Sequence, residues 1–123
     1  DDELIETSRQ MANAAGGSLQ ITNSIDKAFS GAQVIYAKSW GAKQFYGNTD
    51  QDLAERAPYR AKWIVDEDKM RWTPNAIFMH CLPVRRNVIV TDGVIDSAAS
   101  VVIDEAENRL HVQKAIMASL LGG

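Results

Sequence analysis

The stretch FMHCLPVRRN, residues 78–87, gathers most of the side chains here that could do chemistry. It holds the only cysteine, Cys81, one of the two histidines, His80, and one of the three prolines, Pro83, followed by the arginines Arg85 and Arg86. A cysteine beside a histidine raises nucleophilic catalysis, because an imidazole can take the thiol proton. On an extended strand, however, adjacent side chains point to opposite faces, so His80 is poorly placed to serve Cys81. A cysteine at a strand end is also often a small buried hydrophobe. Leu82-Pro83 is more telling. Proline has no N–H and restricts the residue before it, so the chain must turn and expose the Leu82 carbonyl. A cis bond, cheap only before proline, would aim that carbonyl at a ligand. Arg85 and Arg86 could each grip a carboxylate or phosphate through two donors. For Arg86 a solvated basic turn is the preferred reading.

Two more groups join them. Lys38 ends an apolar run, where a charge needs a partner or a ligand, unless its stem carries the ammonium out to solvent. Trp40, two residues on, reads by itself as packing. In the second group, Glu105, Glu107, Asn108 and Arg109 open the closing helix. The acids suit a helix N-terminus and Arg109 does not, which suggests an anionic or carbonyl partner for it. His111 reads as a surface or packed histidine. The chain has no G-x-G-x-x-G, no P-loop and no G-x-S-x-G elbow, so nothing supports nucleotide binding.

The elements that must hold these groups alternate between helix and strand. Leu4, Ile5, Ser8, Met11, Ala12 and Ala15 recur at helical spacing up to Gly16-Gly17. SLQIT (18–22) alternates like a short strand, and Asn23 or Ser24 could cap a helix through Phe29 that Gly31 ends. QVIYA (33–37) is a strand by composition, and the loop after it runs through Trp40, Phe45 and Tyr46. A helix over 50–57 should break at Pro58, with a second helical piece from Asp66 to Arg71. AIFMH (76–80) and SVVID (100–104) read as buried strands. From Glu105 to Leu121, Ala106, Leu110, Ile116, Met117 and Leu120 share one side of an amphipathic closing helix. The pattern predicts an α/β fold with a mostly parallel sheet flanked by helices. In such sheets ligands sit beyond the carboxyl ends of the strands. The loops opening at Lys38 and at Cys81 both lie there.

Bulk properties narrow the partners. With 123 residues the chain has room for one domain, and its charge of −3 argues against nucleic acid and against an anionic membrane surface. No apolar run approaches membrane-spanning length, and the acidic start is no signal peptide. One cysteine allows no internal disulfide, and with two histidines it makes a poor zinc inventory. A cytoplasmic protein is the default expectation.

FMHCLPVRRNVIVTD, followed by IDEAENRLHVQKAIMASLL, resembles the carboxyl-terminal domain of the aspartate and ornithine carbamoyltransferase family. The VRRN continuation and the YAKSWG loop (36–41) are similar to its acylornithine branch, the N-acetylornithine or N-succinylornithine carbamoyltransferases. The resemblance runs over essentially the whole chain, residues 1–123. It implies a Rossmann-like amino-acid-binding domain and transfer of the carbamoyl group of carbamoyl phosphate to the δ-amine of an acylated ornithine, in arginine biosynthesis. Catalytic roles would fall to Cys81, beside the attacking amine, to the Leu82 carbonyl, and to Arg109, at the carbamoyl group. Substrate binding would fall to Lys38, Trp40, His80, Leu82, Pro83 and Arg85. Lys38 stands where enzymes of free ornithine carry an aspartate. Acylation removes the α-amine charge that an aspartate would pair with and leaves a carboxylate that suits a lysine. Neither a metal nor an organic cofactor is implied, and the full-length family members suggest a homotrimer.

Two departures from the family accompany the match. Ile89 stands where some N-acetylornithine enzymes carry an active-site lysine, which favours the succinyl type or a divergent acetyl type. The Ser-x-Arg-Thr-Arg phosphate loop and the amino-terminal carbamoyl-phosphate domain are absent, so the chain is expected to be a partial domain, inactive alone. Alternatives are an ornithine carbamoyltransferase, a non-catalytic interaction module of the same fold, and, disfavoured by strand geometry, a Cys-His hydrolase.

Overall fold

The computed structural model describes residues 2–41 and 43–122. Helix α1 (Asp2–Ala14) opens with two acids in its first turn, where the exposed N–H groups favour negative charge. It ends in a glycine cap: Gly16, at φ +77, lets the Gly17 N–H bond back to the Ala12 carbonyl at 2.8 Å. A short helix α2 (Ile25–Phe29) leads into strand β1 (Val34–Tyr36). A 3₁₀ turn, Lys43–Phe45, precedes α3 (Thr49–Trp63), whose N-cap Asn48 accepts the Gln51 N–H. Then come α4 (Glu67–Arg71), strand β2 (Ile77–Met79), α5 (Asp92–Ile95) and α6 (Val102–Leu120).

β1 and β2 pair in parallel, Val34 opposite Ile77, Ile35 opposite Phe78 and Tyr36 opposite Met79. Ile35 and Phe78 point to the buried face, where Phe78 is wholly inaccessible. Phe29, Val65, Val90, Val94 and Val102 close over them. The α/β class with a parallel sheet and flanking helices is therefore as the residue pattern predicts.

Four local expectations are corrected. Residues 18–22 form no strand, because alternation stabilises one only where a neighbour supplies hydrogen bonds; Ile21 lies exposed. Pro58 does not end α3, which continues to Trp63: a proline removes one helical hydrogen bond and the others carry the helix past it. SVVID is not a strand either. Ser100 makes a single parallel bridge to Phe78, and Val102 already starts α6. The β-branched run turns helical where Asp104 and Glu105 enter the first turn. Finally, the apolar side of α6 is not packed within the chain: Leu110, Ile116, Met117 and Leu120 are all exposed. None of the described helices is long and apolar enough to cross a membrane.

Candidate active site

Lys38 and Cys81 lie just beyond the carboxyl ends of β1 and β2, 43 residues apart, and the paired residues within the strands have the same separation. The register thus carries on past the last ladder bond, where the Ala37 N–H meets the Met79 carbonyl at 3.0 Å. Side chains at matching positions of neighbouring strands share a face. Lys38 Nζ accordingly donates to Cys81 Sγ at 3.2 Å. Tyr36, two residues before Lys38, is on this face too. Its hydroxyl donates to Glu105 Oε1 of α6 at 2.7 Å and also reaches the Cys81 thiol.

These contacts set the charges. The Lys38 hydrogen bond and positive charge pull the Cys81 thiol below its usual range, with the Tyr36 hydroxyl helping and partial burial opposing. Tyr36 is pushed up to about 12, chiefly because its proton is held by the Glu105 carboxylate. An ammonium, an acidified thiol and a phenol tied to a carboxylate thus form one hydrogen-bonded patch.

His80 stands on the opposite face, 2 % exposed. Its Nδ1 accepts the Leu82 N–H at 3.0 Å, which leaves the proton of a neutral ring on Nε2; among the described residues nothing accepts from that atom. Burial, then the Lys38 charge, holds the imidazole below its ordinary value, so it stays neutral. The Cys-His pair that the sequence suggests does not form. His80 instead fixes the turn at Leu82, where φ is +39 and the bond to Pro83 is cis. Pro83 itself is exposed.

Arg85 leaves the same loop and reaches toward Asp52 of α3, Nη1 to Oδ2 3.5 Å, with half of its side chain in solvent. Arg86 is exposed but not merely solvated. It donates to both Asp92 and Asp96, at 2.9 and 2.6 Å; the Asn87 amide first and then Arg86 hold the Asp92 carboxyl below its usual range, and Arg86 does so for Asp96. Trp40 is half-buried against the core, with the Arg56 guanidinium 5.5 Å from its ring centroid. Lys38, Ser39, Trp40, Trp63 and Ile89 are among the residues lining a cavity of about 290 Å³. Ile89, at the position of the expected departure, is 1 % exposed and part of the core. Arg109 is exposed on α6, four residues after Glu105 and hence on the same helical side. Among the described residues, neither Arg85 nor Arg109 is bonded to the Lys38–Cys81 pair, and no group of three or more His, Cys, Asp or Glu could hold a metal.

Sequence reasoning overlooked Tyr36, Asp52 and Arg56, and it read Glu105 only as a helix-terminus charge. The i, i+2 alternation from Tyr36 to Lys38 and the i, i+4 spacing from Asp52 to Arg56 were the available signals.

The family described as aspartate/ornithine carbamoyltransferase, Asp/Orn binding domain, matches residues 1–120. The chain is 53% identical over 122 residues to an N-acetylornithine carbamoyltransferase of Xanthomonas campestris pv. campestris, covering 99% of this chain and 36% of that protein. To an ornithine carbamoyltransferase of Pyrococcus abyssi it is 42% identical over 124 residues, covering all of this chain and 38% of the relative. A crystal structure of acetylornithine transcarbamylase complexed with acetylcitrulline superposes with a TM-score of 0.83 at 53% identity, covering 98% of this chain and 36% of the other. A mutant N-acetyl-L-ornithine transcarbamylase complexed with carbamyl phosphate and N-succinyl-L-norvaline matches equally well. The chain therefore spans little more than a third of the length of these relatives.

Proposed function

The chain belongs to the aspartate/ornithine carbamoyltransferase family, and from that premise we propose that it forms the amino-acid side of an N-acylornithine carbamoyltransferase, with N-acetylornithine as the first substrate to test. The observation that carries the reading is the Lys38–Cys81 contact at the carboxyl ends of two parallel strands. A lysine there suits a substrate whose α-amine has lost its charge to acylation and whose carboxylate remains.

In the reaction, the uncharged δ-amine attacks the carbonyl carbon of carbamoyl phosphate. The new C–N bond gives a tetrahedral oxyanion, the C–O bond to phosphate breaks, phosphate departs, and the amine sheds a proton. Arg109 would stabilise the oxyanion, and such electrostatic support is usually the largest contribution in acyl transfer. The Leu82 carbonyl would accept hydrogen bonds from the carbamoyl nitrogen and the incoming amine. Cys81, its charge governed by Lys38, serves orientation or proton handling rather than attack, because the activated leaving group makes a covalent intermediate unnecessary. Lys38 and Arg85 would receive the anionic part of the acylated amino acid, while Trp40 and Pro83 shape its pocket. His80 contributes from behind, through the Leu82 N–H.

The chain would act as one partial domain over residues 1–123, beside a carbamoyl-phosphate domain. Cytoplasmic arginine biosynthesis by a homotrimer is the setting that the family suggests. The test is to join the chain to a matching carbamoyl-phosphate domain and to measure phosphate release with N-acetyl-L-ornithine, N-succinyl-L-ornithine and L-ornithine. Release that depends on an acylated ornithine is expected. Activity with free ornithine alone would reject the branch, and the preferred acyl group reads out the consequence of Ile89.

A further inference from the structure

The carboxylate of Asp52 ties together three segments of the chain. Asp52 sits one turn into α3 and is 7 % exposed. Its Oδ2 lies 2.6 Å from Arg56 Nη2 and 3.5 Å from Arg85 Nη1. Arg56 in turn lies over Trp40, in the loop after β1. A Cβ added to Gly41 would run into the Arg56 guanidinium, so glycine at 41 lets that loop lie close over it without the arginine having to shift. Asp52 therefore links α3 to both loops that leave the strand ends. A cavity of about 340 Å³ opens between them, lined by Ser39, Thr49, Asp52, Arg56 and Arg85 among others.

Among the described residues the Asp52 carboxylate faces two guanidinium groups, and the closer one, Arg56, is mostly buried whereas Arg85 is half in solvent. An oxygen already committed at 2.6 Å to Arg56 restrains Arg85 without neutralising it. At 3.5 Å the Arg85 contact is a steering attraction more than a formed hydrogen bond. Arg85 keeps most of its donor fork for an incoming anion, and its direction is set by a carboxylate anchored on a helix.

We propose that Asp52, with Arg56 as its counter-charge, is the positioning residue for Arg85 and thereby tunes affinity for the anionic end of the amino-acid substrate. This rests on the reading that Arg85 binds that substrate. Asp52 touches no reacting atom, so its effect belongs in KM rather than in kcat.

The test uses the chain joined to a carbamoyl-phosphate domain, with N-acetyl-L-ornithine as the varied substrate. Arg85→Ala is expected to raise KM about tenfold, and Asp52→Asn about fivefold, each with kcat within about twofold of the parent. In the Arg85→Ala background, Asp52→Asn should add less than about twofold, because two residues acting as one unit are not additive. Asp52→Glu, which keeps the charge, should fall between parent and Asp52→Asn, and it serves in the same cycle if Asp52→Asn does not fold. An equal rise in KM from the Asp52 change with and without Arg85 would show a merely structural role and overturn the proposal. So would an unmoved KM in a folded Asp52 variant. If Arg85→Ala alone leaves KM unchanged, the binding role of Arg85 fails and the positioning role with it. The transferase reading is then judged separately, by acylornithine-dependent phosphate release.

Discussion

Lys38 and Cys81 meet, Nζ to Sγ at 3.2 Å, because they continue the register that sets Tyr36 opposite Met79 on two parallel strands. The contact turns a lone cysteine into one whose charge is governed by a neighbour.

Thiol reactivity reports that control. With Lys38 present the Cys81 thiol titrates below its ordinary value of 9.0. Lys38→Met removes the largest cause of the shift, so less thiolate is present at neutral pH. Iodoacetamide should therefore alkylate Cys81 more slowly in Lys38→Met than in the parent near pH 7.5, and the two rates should converge well above pH 9. Equal rates at both pH values would contradict the contact.

Arg86 gives a prediction about stability and pH. Its partners Asp92 and Asp96 titrate below 3.8 in the folded chain, so the folded state binds fewer protons there than the unfolded state does. The stabilisation is present above about pH 4 and fades as the pH falls through the lowered folded values. Arg86→Ala should thus lower the thermal midpoint at pH 7 and lose that deficit toward pH 2. A deficit that persists unchanged at pH 2 would point to lost packing instead.

Phe78 tests the core under the site. Its side chain is fully buried, and its backbone bonds to both Ala99 and Val101. Phe78→Ala should destabilise the chain by about 3–5 kcal/mol, measured by urea unfolding of the chain joined to its partner domain. A loss below about 1 kcal/mol would mean that the neighbours collapse into the space.

Much of this protein is legible in its residues. The two strands, the loops that follow them, the caps at Gly16 and Gly31, and the sharp turn at Leu82-Pro83 all follow from composition and local turn chemistry. That His80 cannot serve Cys81 follows from strand alternation alone, and the structure places the two on opposite faces. The failures share one cause. SLQIT and SVVID carry strand-like composition, yet a strand also needs neighbouring strands to bond, which no local pattern records. Pro58 looked like a stop because the penalty is local, whereas the rest of α3 sustains the helix on both sides.

By itself the sequence determined the fold class, the family resemblance and the loops at the strand ends that hold the candidate site, because alternation, turn residues and motifs act over a few neighbouring positions. Only the tertiary structure decided which side chains meet across those loops. Lys38 and Cys81 are joined by register, Tyr36 and Glu105 by the docking of α6 on the sheet, and Asp52 and Arg85 by the placement of α3 beside the strand ends. Each pair is far apart along the chain, and its distance is set by how the elements pack rather than by any property of the intervening residues.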